Sequence, residues 1–301
     1  MNSFQGIDHK KDRIYIHFDV TTICNYSCTY CCNRAEYTDW QKAGSFDTIM
    51  STFDDIEKLK NENNLPIFIM FTGGEPTMTI RYFQIVERAI SLLTHDDDRL
   101  VLESNGSRKL EFFAKYPLFY NKVFHMFSVH PEHETFESMV EYIQKLKLIQ
   151  SKGYRVKVNL MLNHSEQYWD FIDYAYDLLV ENGIEVHPHY IYHKKEFNQI
   201  KYPKKFWKRF ERFKDAKHEY EIEIDGIVQT YSDNEVFQNK LNHFKGMTCY
   251  HNNLCIDLRG NYSNQCFKIS QMNDVIDLMK GKPCPYDSCN CDGLLKIRKE
   301  F

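Results

Sequence analysis

At 301 residues, with 43% hydrophobic and 27% charged residues, the chain has a globular composition, which excludes a disordered protein. A net charge of −4, opposed only by the short basic run His9 to Arg13, gives no electrostatic footprint for a nucleic-acid or membrane partner. No apolar run is long enough to span a bilayer and the N-terminus lacks an apolar signal core, so a cytoplasmic protein is expected.

The first strand is expected over Arg13 to Val20, where "RIYIHFDV" alternates. Phe46 to Asn63 places Ile49, Phe53, Ile56 and Leu59 at helical spacing. "IFIMF" (Ile67 to Phe71) is a short apolar run of the kind found in buried parallel strands, and it ends near Gly73–Gly74. A helix from Arg81, the strand "LVLES" and a short helical stretch near Leu110 follow. Next come the strand "VFHMFSV", a helix closed by Gly153, the strand "RVKVNLML" and a helix closed by Gly183. "IEVHPHYIY" then precedes a charged helical stretch around "KKFWKRFERFKDAKHEY".

Strands alternating with helices imply a parallel sheet with right-handed crossovers. Six such units suit either an open doubly wound sheet or an incomplete barrel, and periodicity does not separate them. In both, the functional residues belong at the C-terminal ends of the strands. Beyond about Lys217 the pattern changes to hairpins, one around Asp225–Gly226 and one around Arg259–Gly260–Asn261, followed by a loop-like cysteine-rich tail. The chain therefore divides into a barrel-type unit over residues 13–217 and a small extension over 218–301.

The ten cysteines are segregated: four lie between Cys24 and Cys32, six between Cys249 and Cys291, and none between the two groups. In a reducing compartment such clusters point to metal or redox chemistry rather than disulfides. Cys24, Cys28 and Cys31 sit at spacings of four and three in "VTTICNYSCTYC". Soft thiolates so close together suit zinc or an iron–sulfur cluster. Structural zinc takes four ligands. Locally only Cys32 is on offer as a fourth, and adjacent residues rarely reach one metal, so Cys32 is expected to be a buried bystander. Three thiols on one loop suit a [4Fe-4S] cube with one iron left open.

Cys24-x3-Cys28-x2-Cys31, with Tyr30 before the last cysteine, closely resembles the cluster loop of radical S-adenosylmethionine (SAM) enzymes. "GGEP" at Gly73 to Pro76, straight after the second strand, resembles that superfamily's SAM-binding motif. The resemblance runs from about Arg13 to Ile191 and implies an incomplete (β/α)6 TIM-like barrel. It further implies a [4Fe-4S] cluster whose open iron is chelated by SAM, and a 5′-deoxyadenosyl radical formed by reductive cleavage of SAM. Gly73 and Gly74 would let backbone approach the methionine end of SAM. A side chain at Gly74 would then block SAM and leave the iron in place. Glu75 would accept from the SAM ammonium or act through backbone. Ser104, Asn105, Ser128, His130 and Asn159 fall where related enzymes place polar groups near SAM, as does the segment from Gly183, and Tyr30 would lie against adenine.

The six later cysteines are Cys249, Cys255, Cys266, Cys284, Cys289 and Cys291. With Gly260 between Cys249 and Cys266, they resemble the SPASM and Twitch extensions of radical SAM enzymes. Six thiols are too few for two complete clusters, so one auxiliary [4Fe-4S] cluster on four of the six is implied, with a zinc knuckle as the alternative. The implied function is that of a radical SAM oxidoreductase taking electrons from a reductant such as flavodoxin or ferredoxin, with ribosomally made peptides undergoing maturation as the expected substrates. With only about 12 residues before the first strand there is no room for an N-terminal peptide-recognition domain. That favours a second reading, a dehydrogenase or epimerase acting on a sugar, nucleoside or amino acid. A zinc-binding interaction module is the non-enzymatic alternative.

Overall fold

The computed structural model describes residues 1–31, 45–117, 121–191, 202–213, 219–232, 235–236, 239–264, 266–289 and 296–301. Cys32, Cys291 and part of the charged stretch before Lys217 lie outside the described residues. Among those residues the strands form two sheets. Strand β1 (Ser3–Gly6) belongs to the smaller one. It precedes the expected first strand and is too short to carry a periodic signal.

Strands β2 (Ile14–Thr21), β3 (Ile67–Gly73), β4 (Arg99–Ser104), β5 (Val123–Val129), β6 (Arg155–Leu162) and β7 (Glu185–Tyr190) lie side by side in chain order. Every neighbouring pair is parallel. A doubly wound sheet reverses its strand order part-way. This one does not, so each right-handed crossover delivers its helix to the same face, as in a barrel. The helices are α1 (Phe46–Asn63), α2 (Tyr82–Ser91), the short α3 (Leu110–Phe113), α4 (Phe136–Ser151), α5 (Trp169–Glu181) and α6 (Lys204–Arg209). The expected charged helix after "IEVHPHYIY" reaches only from Lys204 to Arg209 before giving way to a single tighter turn, Glu211–Phe213.

Alternation sorts the strand residues between two faces. Ile14, Ile16 and Phe18 on β2 are fully buried with Ile49, Phe53 and Ile56 of α1, and the rings of Phe18 and Phe53 are 5.4 Å apart. The opposite face is half-buried and, among aromatic and methionine side chains, carries the polar residues Asp19, Thr72, Glu103, Ser128, Lys157, Asn159, His187 and His189. Phe68 on β3 and Phe124 on β5 bring their rings to 6.1 Å across the intervening β4. Their backbones stand two strand spacings, about 10 Å, apart in a flat sheet, so side chains on this face converge.

Later strands serve both sheets. β8 (Tyr220–Ile224) and β9 (Ile227–Tyr231) form the expected hairpin, with Asp225 and Gly226 at φ 52° and 80° as a two-residue turn of matching twist requires. The smaller sheet is completed by β10 (Thr248–Cys249), β13 (Lys282–Pro283) and β14 (Lys299–Glu300). β11 (Asn253–Ile256) instead runs parallel beside β2 and pairs with β12 (Tyr262–Ser263) in the second expected hairpin. The segment after residue 217 thus extends the parallel sheet at its β2 edge while forming most of the second sheet.

Asn252 fixes this edge. Its fully buried side chain donates to the carbonyls of Lys10 and Arg13, both at 2.8 Å, and lies 2.8 Å from His9 Nε2. Asn252→Ala leaves those carbonyls without their donor, and a buried group left unsatisfied costs about 1–3 kcal/mol. Chemical denaturation of the variant should show a stability loss of about that size. A loss below about 0.5 kcal/mol would mean that water replaces the amide.

Candidate active site

The cysteine loop leaves the end of β2 and has no helix or strand of its own from Thr22 to Cys31. The ends of β3, β4 and β5 hold it in place. From β3, Gly74 N donates to Thr21 O at 2.7 Å and Glu75 N to Ile23 O at 2.8 Å, a backbone ladder that ends one residue before Cys24. From β4, Asn105 Nδ2 and Ser107 Oγ both donate to Asn25 Oδ1, at 3.1 and 3.2 Å. The turn after β5 provides the rest. Glu132 accepts from Thr29 N at 2.7 Å and from the Thr29 hydroxyl. His133 Nε2 accepts from Ser27 N at 3.3 Å, and its ring stacks on Tyr26 at 4.3 Å. Tyr26 Oη donates to Glu134 at 2.5 Å.

That turn is itself fixed. Thr135 caps α4 and exchanges hydrogen bonds with Ser138, and Ser138 Oγ also donates to Glu134 at 2.6 Å. Asn163, buried at the end of β6, donates to Glu132 at 3.1 Å. Cys28 Sγ and ligand atoms of Glu132 and His133 all lie within 4.8 Å of one another. The hydrogen bonds of Glu132 and His133 to the loop account for their presence there.

The fold itself requires glycine at both positions, apart from any approach to SAM. A Cβ on Gly73 would meet Thr21 O at 2.2 Å, and one on Gly74 would meet Ile23 O at 2.2 Å. Gly73 also sits at φ 115°, which favours glycine. The pair is glycine because the backbone of the cysteine loop passes directly over it. Glu75 is 1% exposed and its carboxylate is engaged within the chain. It accepts from Asn105 N at 2.6 Å, Ser104 Oγ at 2.9 Å, and both the amide and hydroxyl of Thr77. Burial pushes its carboxyl above the usual range and these donors oppose the shift.

The three thiols form one electrostatic group. Burial, then the charges of Cys31, Glu132 and Cys24, pushes Cys28 up to about 12. Burial also raises Cys24, against the pull of the Tyr26 amide at 3.4 Å from its sulfur, while Glu75 and Cys31 add to the rise. Three thiols gathered on one loop, Cys28 buried and Cys24 and Cys31 half-buried, fit a cationic group that takes all three as thiolates. His130 lies 2.9 Å from Tyr30 Oη and 3.5 Å from Cys28 Sγ through Nδ1, and burial lowers it to about 4, so it is neutral. Tyr30 therefore faces His130. Ser128, Asn159 and His187 share one rung across β5, β6 and β7 on the polar face.

Of the residues singled out in the sequence, the structure brings Cys24, Cys28, Cys31, Gly73, Gly74, Glu75, Ser104, Asn105, Tyr30 and His130 together around this loop. Sequence reasoning missed Asn25, Tyr26, Thr29, Glu132, His133 and Glu134. The signal available for the last three was "HPEHET", a dense run of ionisable residues directly after a strand.

The model of the Radical SAM superfamily matches residues 18–178, more than half of the chain. The chain belongs to the radical SAM superfamily. It is thus a radical SAM enzyme, and membership implies a [4Fe-4S] cluster that works with SAM. Among solved structures it is similar to anSMEcpe with bound AdoMet and Kp18Cys peptide, at 14% identity, 89% coverage of this chain, 80% of that chain and a TM-score of 0.54. SuiB of Streptococcus suis, also 14% identical, covers 91% of this chain and 67% of its own at a TM-score of 0.48. BtrN in complex with AdoMet and 2-DOIA, again 14% identical, covers 88% and 81% at 0.39. At such identities the likeness is one of fold, and of these three it is carried by anSMEcpe, whose TM-score exceeds 0.5. No curated protein matches the chain. Among the described residues, no helix of this radical SAM enzyme is long and apolar enough to cross a membrane.

The packing of the radical SAM glycine pair gives a direct expectation. Gly74→Val should displace the Thr22–Ile23 backbone, so the variant should lose iron from the first thiol site as well as SAM binding. Iron analysis and equilibrium dialysis with SAM separate the outcomes. Full iron content with weakened SAM binding would show that the side chain meets only SAM.

Proposed function

We propose that this radical SAM enzyme abstracts a hydrogen atom from a peptide and passes the resulting electron to an auxiliary cluster in the C-terminal segment. One observation carries the first part: three thiols are held together by three strand ends at the mouth of the parallel sheet. Cys24, Cys28 and Cys31 would hold the cube, leaving one iron for SAM. When bound, cluster and SAM supply a 5′-deoxyadenosyl radical through one-electron cleavage of the sulfonium.

The chain's own residues prepare for this. Glu132, His133 and Glu134 fix the loop, and Glu75 ties the glycine turn to Ser104 and Asn105. Neutral His130 beside Cys28 offers a ring nitrogen to the thiol without adding charge. Ser128 on the polar face would meet the SAM ribose or carboxylate, and Asn159 beside it the ribose or adenine.

The auxiliary cluster would draw four ligands from the C-terminal cysteines. Their surroundings suit a metal centre. His251, two residues after Cys249 and 2% exposed, has neither ring nitrogen partnered among the described residues. An orphaned buried donor fits an acceptor that arrives with the metal, such as a cluster sulfide. The peptide assignment is supported by the likeness of fold to anSMEcpe, whose structure has bound AdoMet and a peptide.

Anaerobic reconstitution should give about eight irons per chain, and about four when Cys24, Cys28 and Cys31 are all Ala, since each cube holds four. That variant should form no 5′-deoxyadenosine. With SAM, reduced flavodoxin and a randomised peptide library, the native enzyme should yield peptides lighter by two hydrogens together with 5′-deoxyadenosine. Zinc in place of the second set of irons would remove the auxiliary cluster. Oxidation confined to small molecules offered alongside would overturn the peptide assignment.

A further inference from the structure

The thiols of the second sheet surround a lysine. Lys299 on β14 is the register partner of Cys249 on β10 on one side and of Phe4 on β1 on the other. It is 2% exposed. Its ammonium stands 4.5 Å from the Phe244 ring and 5.3 Å from the Phe4 ring, and donates to Ile297 O at 2.7 Å. Phe4 and Phe244 belong to the small core of this sheet, against which Cys284 and Cys289 also pack. Backbone bonds fix both of these cysteines, Cys284 N to Met247 O at 2.8 Å and Cys289 N to Asn242 O at 2.9 Å.

A buried ammonium is costly unless anions answer it. Aromatic faces and one carbonyl supply part of the compensation. Burial lowers the Lys299 pKa, and the charges of Cys289, Cys249, Cys284 and Cys266 oppose that shift and favour the protonated form. Reciprocally, Lys299 pulls Cys249 down, although burial holds that thiol at about 12.

We infer that Lys299 is the built-in countercharge of the C-terminal thiol site, placed to favour the reduced, more negative state of an iron–sulfur cluster bound there. The inference rests on the auxiliary-cluster reading above. One electron, from dithionite in the test or from a substrate radical in turnover, makes a thiolate-ligated cube more negative by one unit. A fixed positive charge in a low-dielectric setting stabilises that state over the oxidised one. The consequence is a raised reduction potential, which suits a centre that accepts an electron.

The test uses full-length reconstituted holoprotein and a dithionite titration followed by electron paramagnetic resonance, reading the signal that added SAM leaves unchanged. Lys299→Met should keep its iron and be harder to reduce by at least tenfold, a shift of about 59 mV to more negative potential for one electron. Lys299→Arg keeps the charge and should stay near the native potential. Should Lys299→Met fail to fold, Lys299→Gln makes the same comparison with a polar neutral side chain. A native potential in the neutral variant, with the SAM-insensitive signal intact, overturns the countercharge alone. Zinc in place of that signal overturns the auxiliary-cluster reading and the countercharge with it.

Discussion

Three thiols must be held at fixed positions on a segment that has no secondary structure, and the C-terminal edge of the sheet is arranged around that requirement. Ordering backbone costs about 1–2 kcal/mol per residue, more than one hydrogen bond returns. The loop is therefore held from several sides. β3 offers backbone, β4 offers Asn105 and Ser107, and the turn after β5 offers two carboxylates and an imidazole. Each of these groups is tied down in turn, Glu132 by Asn163 and Glu134 by the α4 cap. Because the six strands run in chain order without reversal, their C-terminal ends form one continuous rim. Without that order the three supporting turns would not meet on a single loop.

The same packing sets the electrostatics. At the first site the charges of Glu132 and Glu75 add to burial and make Cys28 and Cys24 harder to ionise. At the second site Lys299 opposes burial and pulls Cys249 the other way. The second site thus has a cation beside its thiols, which the first site lacks among the charges that act on Cys24 and Cys28. An anionic neighbourhood makes a centre a stronger reductant, as cleavage of a sulfonium demands, whereas a cationic one makes it a better acceptor.

Much of this was legible in the sequence because it is periodic or local. The helix Phe46–Asn63 and the strand Arg155–Leu162 follow from spacing alone, and the hairpin at Asp225–Gly226 follows from turn chemistry. Cysteine spacing and "GGEP" mark where the chemistry lies. What spacing does not carry is contact between distant segments. Gly74 reads as a glycine for a ligand, but its neighbour is Ile23, more than fifty positions earlier. Glu132 and His133 look like an ordinary polar turn until the fold brings Thr29 and Ser27 to them. Lys299 carries no signal in the sequence, and its register with Cys249 and Phe4 is what brings it inside. Strands of two to four residues, such as β1 and β14, are too short for any alternation to register.

The central claim is that the protein shapes the cysteine loop before any metal arrives. Amide hydrogen exchange on metal-free protein tests it most directly, at Ser27 and Thr29, whose N–H groups are bonded to His133 and Glu132. The account predicts that both amides are protected relative to an unstructured loop. It also predicts that Glu132→Ala releases Thr29 while the amides of β2 remain protected. Free exchange at Ser27 and Thr29 in the metal-free native protein, with protection appearing only once iron is bound, would contradict it.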